Sequence, residues 1–270
     1  MRLGVSFTAT YAKSISRQRL VDDARATEQA GFDSMWFFDA LGRGSMHPDP
    51  LQAICIAAAG AQNLAFGTCI LQVPLRHPAE LAQRVLTTQM ACDGRFTLGV
   101  GAGSTRTDFD LVGVDFDTRM RALNEGLAIM QALWHGESVN GVALYPWPEV
   151  LGGPPIMVGS WAGSKWIPRA ANEFDGWIGS GAKSTTGKLR EGITRFRAAG
   201  GKRAMVTNIH VDLNESGSAL SDDSPFNLRC SSDEARRRLE LLVELGFDDA
   251  VFMMPDNSPQ TLDAVRALLP

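Results

Sequence analysis

Short apolar runs alternate along this chain with longer segments in which apolar residues recur every three or four positions. The runs, bounded by glycine or aspartate, predict buried strands at Leu3 to Phe7, after Gly31 to Phe38, Ala65 to Leu71 and Phe96 to Val100. Four more follow at Ile156 to Val158, Trp177 and Ile178, Met205 to Leu213, and Ala250 to Met253. Between them lie helical patterns. Ser16 caps a segment carrying Leu20, Ala24 and Thr27, and Pro50 to Gln62 and Pro78 to Cys92 each open on a proline suited to a first turn. Thr118 to Trp134 keeps Met120, Leu123, Leu127, Met130 and Leu133 on one face. Trp166 to Glu173, Ser184 to Ala199, a segment behind the capping box Ser231 to Glu234, and Leu262 to Leu269 complete the set.

One joint recurs. Gly31-Phe-Asp-Ser-Met-Trp, Gly246-Phe-Asp-Asp-Ala-Val and the looser Glu173-Phe-Asp-Gly-Trp-Ile each run from a helix end through a phenylalanine and an aspartate into a strand. Such echoes imply a repeated βα unit. Eight units without a linker predict an α/β protein: a compact, eight-stranded parallel (β/α)8 TIM barrel, a single domain over 1–270. The stretch Val139 to Pro155, with Tyr145 and Trp147, breaks the rhythm and reads as an irregular insertion, a hairpin or cap, before the fifth strand.

Composition narrows the setting. An apolar fraction of 44% with 21% charged residues suits a globular protein with a large core. No run is long enough to cross a bilayer and no export pattern is visible, so the expectation is a cytoplasmic protein without a membrane partner. The net charge is −4, and the basic cluster Arg236 to Arg238 lies among Glu234 and Glu240, so nucleic acid is not expected as a partner. Cys55, Cys69, Cys92 and Cys230 lack CxxC spacing and read as reduced thiols, with no metal site.

In a barrel of this kind the chemistry sits in the loops after the strands. Two of these are rich in glycine and hydroxyls: Gly101-Ala-Gly-Ser-Thr105 and Gly159-Ser-Trp-Ala-Gly-Ser164. They offer backbone N–H groups and hydroxyls to a phosphate or a ring carbonyl. Arg106 stands where a dinucleotide fingerprint needs its last glycine, which argues against a Rossmann reading. The absence of a strand-end lysine and of an HxH or carboxylate cluster argues against aldolase and metallohydrolase chemistry.

Four segments together carry a family resemblance: Ala30-Gly-Phe-Asp-Ser-Met-Trp-Phe-Phe-Asp39; Leu64-Ala-Phe-Gly-Thr-Cys-Ile-Leu71 with Leu75-Arg-His-Pro78; Gly94-Arg-Phe-Thr-Leu-Gly-Val-Gly-Ala-Gly103; and Pro154-Pro-Ile-Met-Val-Gly159 with Asp175-Gly-Trp-Ile178. In these the sequence resembles the bacterial luciferase-like monooxygenase family, which includes the coenzyme F420-dependent oxidoreductases. The resemblance implies hydride transfer between F420 and a small organic substrate. A reduced-FMN-dependent monooxygenase and a non-catalytic flavin- or deazaflavin-binding barrel are the alternatives, FMN then replacing F420. Carried over by position, it implies a cis peptide at Cys69–Ile70, with Asp39 beside the cofactor as a catalytic candidate. It further implies cofactor contacts at Gln72, Ala102, Gly103, Ser104 and Thr107, and phosphate or tail contacts at Ser160, Trp161, Gly163 and Ser164. The histidine and glutamate of the sugar-phosphate-oxidising branch are replaced by Ala40 and Ser104, which leaves His47 as the second catalytic candidate. Arg43, Arg76 and Arg106 are candidates for binding an anionic group. Family members usually pair through the second helix, and here Ala57-Ala-Ala-Gly-Ala61 permits close approach, so a homodimer is expected.

Overall fold

The computed structural model describes residues 1–270 except 164, 216, 218 and 270. Its first half runs β1 (Arg2–Ser6), α1 (Thr8–Tyr11), α2 (Arg17–Gln29), β2 (Ser34–Phe37), α3 (Pro50–Ala58), β3 (Ala65–Thr68), β4 (Leu71–Gln72), α4 (Pro78–Ala91), β5 (Phe96–Gly101), α5 (Arg106–Val112) and α6 (Arg119–Trp134). Its second half runs β6 (Ile156–Gly159), α7 (Trp166–Glu173), β7 (Gly176–Ser180), α8 (Thr186–Ala198), β8 (Arg203–Asp212), β9 (Leu228–Arg229), α9 (Ser232–Leu245), β10 (Asp249–Met253) and α10 (Pro259–Arg266). Parallel pairing follows the order β10-β1-β2-β3-β5-β6-β7-β8, and β8 pairs back onto β10. This closes an eight-stranded TIM barrel, as the periodicity predicts.

The recurring Phe-Asp joint has one geometry. Asp33, Asp175 and Asp248 each accept a hydrogen bond from a backbone N–H at the start of the neighbouring strand: Leu3 at 2.7 Å, Ile156 at 2.8 Å and Ala204 at 2.7 Å. Each aspartate's own N–H returns to that same residue's carbonyl, at 2.9, 2.9 and 2.8 Å. The carboxylate thus satisfies a strand-end donor and fixes the register of the pair.

The core has two parts. Between sheet and helices lies a continuous apolar shell; inside the barrel Trp36, Cys69, Met157, Ile178, Met205 and Val251 form a separate plug. Trp36 fits because Gly4 and Gly67 lack side chains, and a Cβ at either position would run into its indole. Its Nε1 donates to Ser34 Oγ at 2.8 Å. At the amino-terminal mouth Asp249 accepts from Arg203 at 3.0 and 3.1 Å and from Arg2 at 3.0 Å, while Arg203 also reaches Thr97 Oγ1 at 3.3 Å.

Four local features differ from or refine the sequence reading. The third strand is not continuous to Leu71: it breaks at a cis Cys69–Ile70 peptide, the bond the resemblance implies, and resumes as β4 paired with β5. The loop after the fourth strand contains α5, ended by Gly113 at φ 69°. The second predicted helix stops at Ala58 rather than Gln62 and packs between α2 and α4. A Cβ on Gly60 would strike the Val21 carbonyl, so the chain just past the helix approaches α2 closely. In the irregular insertion Asn140 and Gly141 take φ 52° and 80°, and Val139 and Val142 exchange backbone hydrogen bonds at 2.9 and 3.1 Å, the geometry of a tight hairpin turn. Among the described residues no helix is long and apolar enough to cross a membrane.

Candidate active site

A cavity of about 600 Å³ opens at the carboxyl ends of the strands, a size typical of small-molecule and cofactor sites. Its floor continues the interior plug through Cys69, Ile178 and Thr207, with Phe38 and Ile70 partly buried above. Ile70 projects into the mouth. A Cβ on Gly101 would lie 2.8 Å from Ile70 Cδ1, and one on Gly159 would lie 2.5 Å from Ile70 Cγ2, so the glycines ending β5 and β6 leave room for it. Burial pushes the Cys69 thiol up to about 12, with the neighbouring Thr207 hydroxyl acting to lower it. The thiol is therefore neutral and a poor nucleophile.

One wall is a chain of charged and amide groups. Arg76 grips Asp39 with both terminal nitrogens, at 2.6 and 2.9 Å, and stands 3.5 Å from Asp49, the residue that caps α3. The backbone N–H of Gln72 donates to Asp39 Oδ2 at 2.9 Å. The Gln72 side chain crosses between two elements, its Nε2 donating to the Asp39 carbonyl at 3.1 Å and to Asp108 Oδ2 at 2.9 Å. Asp108 also accepts from the Gly42 N–H and from Arg43, both at 2.8 Å. Burial pushes its carboxyl up, but the Arg43, Gln72 and Gly42 donors outweigh that and hold it below the usual carboxylate range. Burial acts to lower Arg76, but Asp39 and Asp49 keep its guanidinium above the usual value.

This network leaves Gln72 Oε1 without a partner, although the residue is 1% exposed. Both acceptors of Nε2 fix which way the amide points, so the oxygen is committed as a vacant acceptor. The Ser160 hydroxyl at the end of β6 is likewise buried and unpartnered. Gly103, at φ 83°, allows close approach here: a Cβ there would press on Gln72 Oε1 and on the Phe109 ring. Vacant buried polar atoms are costly unless something supplies their hydrogen bonds. Gln72, Ser160 and the backbone from Ala102 to Ser104 therefore fit a flat heterocycle bearing N–H groups with a phosphate attached.

Of the residues singled out from sequence, Asp39, Cys69, Ile70, Gln72, Ala102, Gly103, Ser104, Ser160 and Trp161 line the cavity together. Thr107, Gly163 and His47 are not among the lining residues. Thr107 is exposed in the first turn of α5, its carbonyl against Gly42, and Gly163 is exposed before α7. His47 is bonded instead to Ser45 Oγ at 3.1 Å; burial and the nearby Arg43 hold its imidazole below the usual value. Ser164 lies outside the described residues. Asp39 faces the cavity, but both its oxygens are engaged by Arg76, so it positions the β4 segment and is poorly placed to exchange protons. Arg76 is committed to Asp39, and Arg106 pairs with Asp117 at 3.1 Å over the Phe116 ring; of the three arginines only Arg43 lines the site. Sequence reasoning missed Arg119, Lys183, Asn208 and His210, which do line it.

The β8 residues have a traceable cause. Ala250 of β10 pairs with Val206 and Phe252 pairs with Ile209, so Thr207 and Asn208 together face Val251. Asn208 takes φ 56° and donates to Ser180 Oγ at 3.2 Å. This is a β-bulge, which shifts the inward–outward phase of the strand by one residue. Before it Ala204 and Val206 pack outward; after it Ile209 and Val211 do, leaving His210 on the cavity side. The sequence marks the site only by Thr207-Asn208, which interrupt the apolar run Ala204 to Val206.

A closed parallel barrel with a lined cavity at the carboxyl ends of its strands defines a TIM-barrel protein built to hold a small molecule. The chain belongs to the luciferase-like monooxygenase family, whose profile matches residues 1–215. It is similar to the F420-dependent glucose-6-phosphate dehydrogenase of Beutenbergia cavernae, 33% identical over 180 residues, covering 61% of this chain and 51% of the relative. It is also similar to the enzyme of the same name from Nocardia farcinica, 30% identical over 222 residues, covering 74% and 65%. The matches thus span about half to two thirds of those relatives. In fold it resembles the oxygenating constituent of 3,6-diketocamphane monooxygenase from Pseudomonas putida in complex with FMN, with a TM-score of 0.78, 17% identity and coverage of 98% and 97%. An F420-dependent secondary alcohol dehydrogenase in complex with an F420-acetone adduct superposes with a TM-score of 0.77, 16% identity and coverage of 100% and 98%.

Proposed function

We propose that this chain is an F420-dependent oxidoreductase that transfers a hydride between the deazaflavin and a small organic substrate. The observation that carries the reading is the vacant acceptor at Gln72 Oε1, held in a buried network at the wall of a ligand-sized cavity. Among the buried unpartnered atoms, Gln72 Oε1 belongs to a residue that lines the cavity, and it is a candidate acceptor for a ring N–H. Ile70 backs the ring, the Ala102 to Ser104 backbone and the Ser160 hydroxyl serve ring oxygens or phosphate, and the Arg76–Asp39–Gln72 network holds these groups in place. Bound F420 supplies the two-electron hydride chemistry; the protein's share is position, electrostatics and exclusion of water.

The relatives named for F420 at 30–33% identity support the deazaflavin over FMN. Their sugar-phosphate substrate is not carried over, because Ala40 and Ser104 occupy the positions where that branch is expected to keep an ionisable pair. The FMN complex of a structural neighbour keeps the flavin reading as the competitor. Fluorescence titration of the purified protein with F420 and with FMN tests the choice. Tighter binding of F420 is expected; tight FMN binding without F420 binding would contradict it.

A further inference from the structure

Among the described residues that line the cavity, the titratable side chains other than His210 are held by partners, buried as a thiol or without an acceptor. Asp39 is gripped by Arg76, and the Cys69 thiol is buried and neutral. Arg43 pairs with Asp108, Arg119 donates to the Phe116 carbonyl, and the Lys183 side chain is a donor without an acceptor. The remaining group is His210, and the bulge at Asn208 is what turns it inward. Bulges next to active sites commonly re-aim one side chain in this way. The β3 strand, which leads into Ile70, and β8, which carries His210, lie four places apart around the eight-stranded barrel. His210 therefore stands across the mouth from the Ile70 wall, with the cavity between them.

We propose that His210 is the general base for oxidation of an alcohol held in this cavity, and the general acid for the reverse reduction. This rests on the oxidoreductase reading above. The balance is complete with oxidised deazaflavin as the two-electron acceptor. The C–H bond of the carbinol carbon breaks and its electron pair leaves as hydride; the O–H bond breaks and its pair becomes the second bond of C=O. The proton passes to an imidazole nitrogen, and the exposed position of His210 at the mouth lets it go on to solvent.

The surroundings suit a base. Arg229 on β9 is the charged group acting on the imidazole, and Lys183 lines the cavity from the loop after β7. The register partner on β10 is Met253, which is uncharged. Burial, then Arg229, holds the imidazole below its usual value, which leaves it neutral and ready to accept a proton at pH 7.

The first arm of the test needs no substrate. Diethyl pyrocarbonate modification, followed by peptide mass spectrometry, is compared with and without F420. Carbethoxylation of His210 should slow on F420 binding while that of the exposed His135 does not. In the second arm, F420 reduction by 2-propanol, cyclohexanol and 1-phenylethanol is followed across pH 5 to 9. Wild-type rate should rise through one ionisation and level off. His210→Gln should lower it by about 10²–10⁴-fold and abolish that limb, with F420 affinity retained. His47→Gln should leave both unchanged.

F420 binding that leaves His210 unprotected would overturn the placement. A His210→Gln rate within tenfold of wild type, or F420 binding with no turnover of any of the three alcohols, would overturn the base role while sparing the cofactor reading. No F420 binding at all would overturn the cofactor reading, and this inference with it.

Discussion

The two mouths of the barrel are built from the same materials and finished differently. At the amino-terminal mouth the carboxylates of Asp249, Asp33, Asp175 and Asp248 each meet an arginine or a backbone N–H at the start of a strand. At the carboxyl-terminal mouth Asp39 and Asp108 are paired as fully, but the amide between them is left half used. The closed end spends its polar groups on register; the open end spends most of them on rigidity and leaves Gln72 Oε1 and the Ser160 hydroxyl vacant. A vacant buried polar atom beside a cavity is a candidate ligand contact.

Substitutions at the two ends should therefore separate stability from binding. The largest effect is expected for Gly103→Val. Its positive φ disfavours a branched residue, and the new side chain would press on Gln72 and Phe109. Calorimetric titration should show F420 affinity falling by more than about a hundredfold, about 2.7 kcal/mol. At the other end, Asp249→Ala leaves Arg2 and Arg203 facing each other without a counter-ion. Urea unfolding should show a loss of about 2–3 kcal/mol, under the range for a fully buried pair because both guanidiniums reach water. Cofactor affinity should stay unchanged.

Much of the frame is legible in the sequence. The three Phe-Asp joints are legible as a repeated βα unit because the motif recurs, although each aspartate bonds a strand 19 to 44 residues away. The glycines after β5 are legible as a turn with room for a ligand. Hidden are the side-chain pairings that occur once. Nothing in the run Leu75-Arg-His-Pro78 tells that Arg76 is committed to Asp39, which removed Asp39 as a proton-transfer group. His47 drew attention as a histidine in a mouth loop, yet loop membership does not say which way a ring points. His210 is hidden because Met205 to Leu213 reads as one strand, and the bulge at Asn208 follows from the register with β10, which the letters do not show.

Smaller effects sharpen the contrast further. Gln72→Leu removes the vacant acceptor along with the amide's two donations, so F420 affinity should fall about tenfold while stability changes by about 1 kcal/mol or less. The smallest expected change is a pH effect at Asp108. Its folded value is depressed, so its pairing with Arg43 and Gly42 contributes above the unfolded value of about 3.9 and is lost as pH falls through the folded one. The protection factor of the Gly42 amide, corrected for intrinsic exchange, should fall only once pH drops below the ordinary carboxyl value of about 3.9, and Asp108→Asn should show the lower protection already at neutral pH.

The decisive contact is the one that completes the Gln72 amide. A crystal structure of the F420 complex measures this directly. The expected result is a deazaflavin ring backed by Ile70, with a ring N–H within hydrogen-bonding distance of Gln72 Oε1 and the Arg76–Asp39 pair undisturbed. A ring bound elsewhere in the cavity, with Gln72 Oε1 still unpartnered, would contradict it.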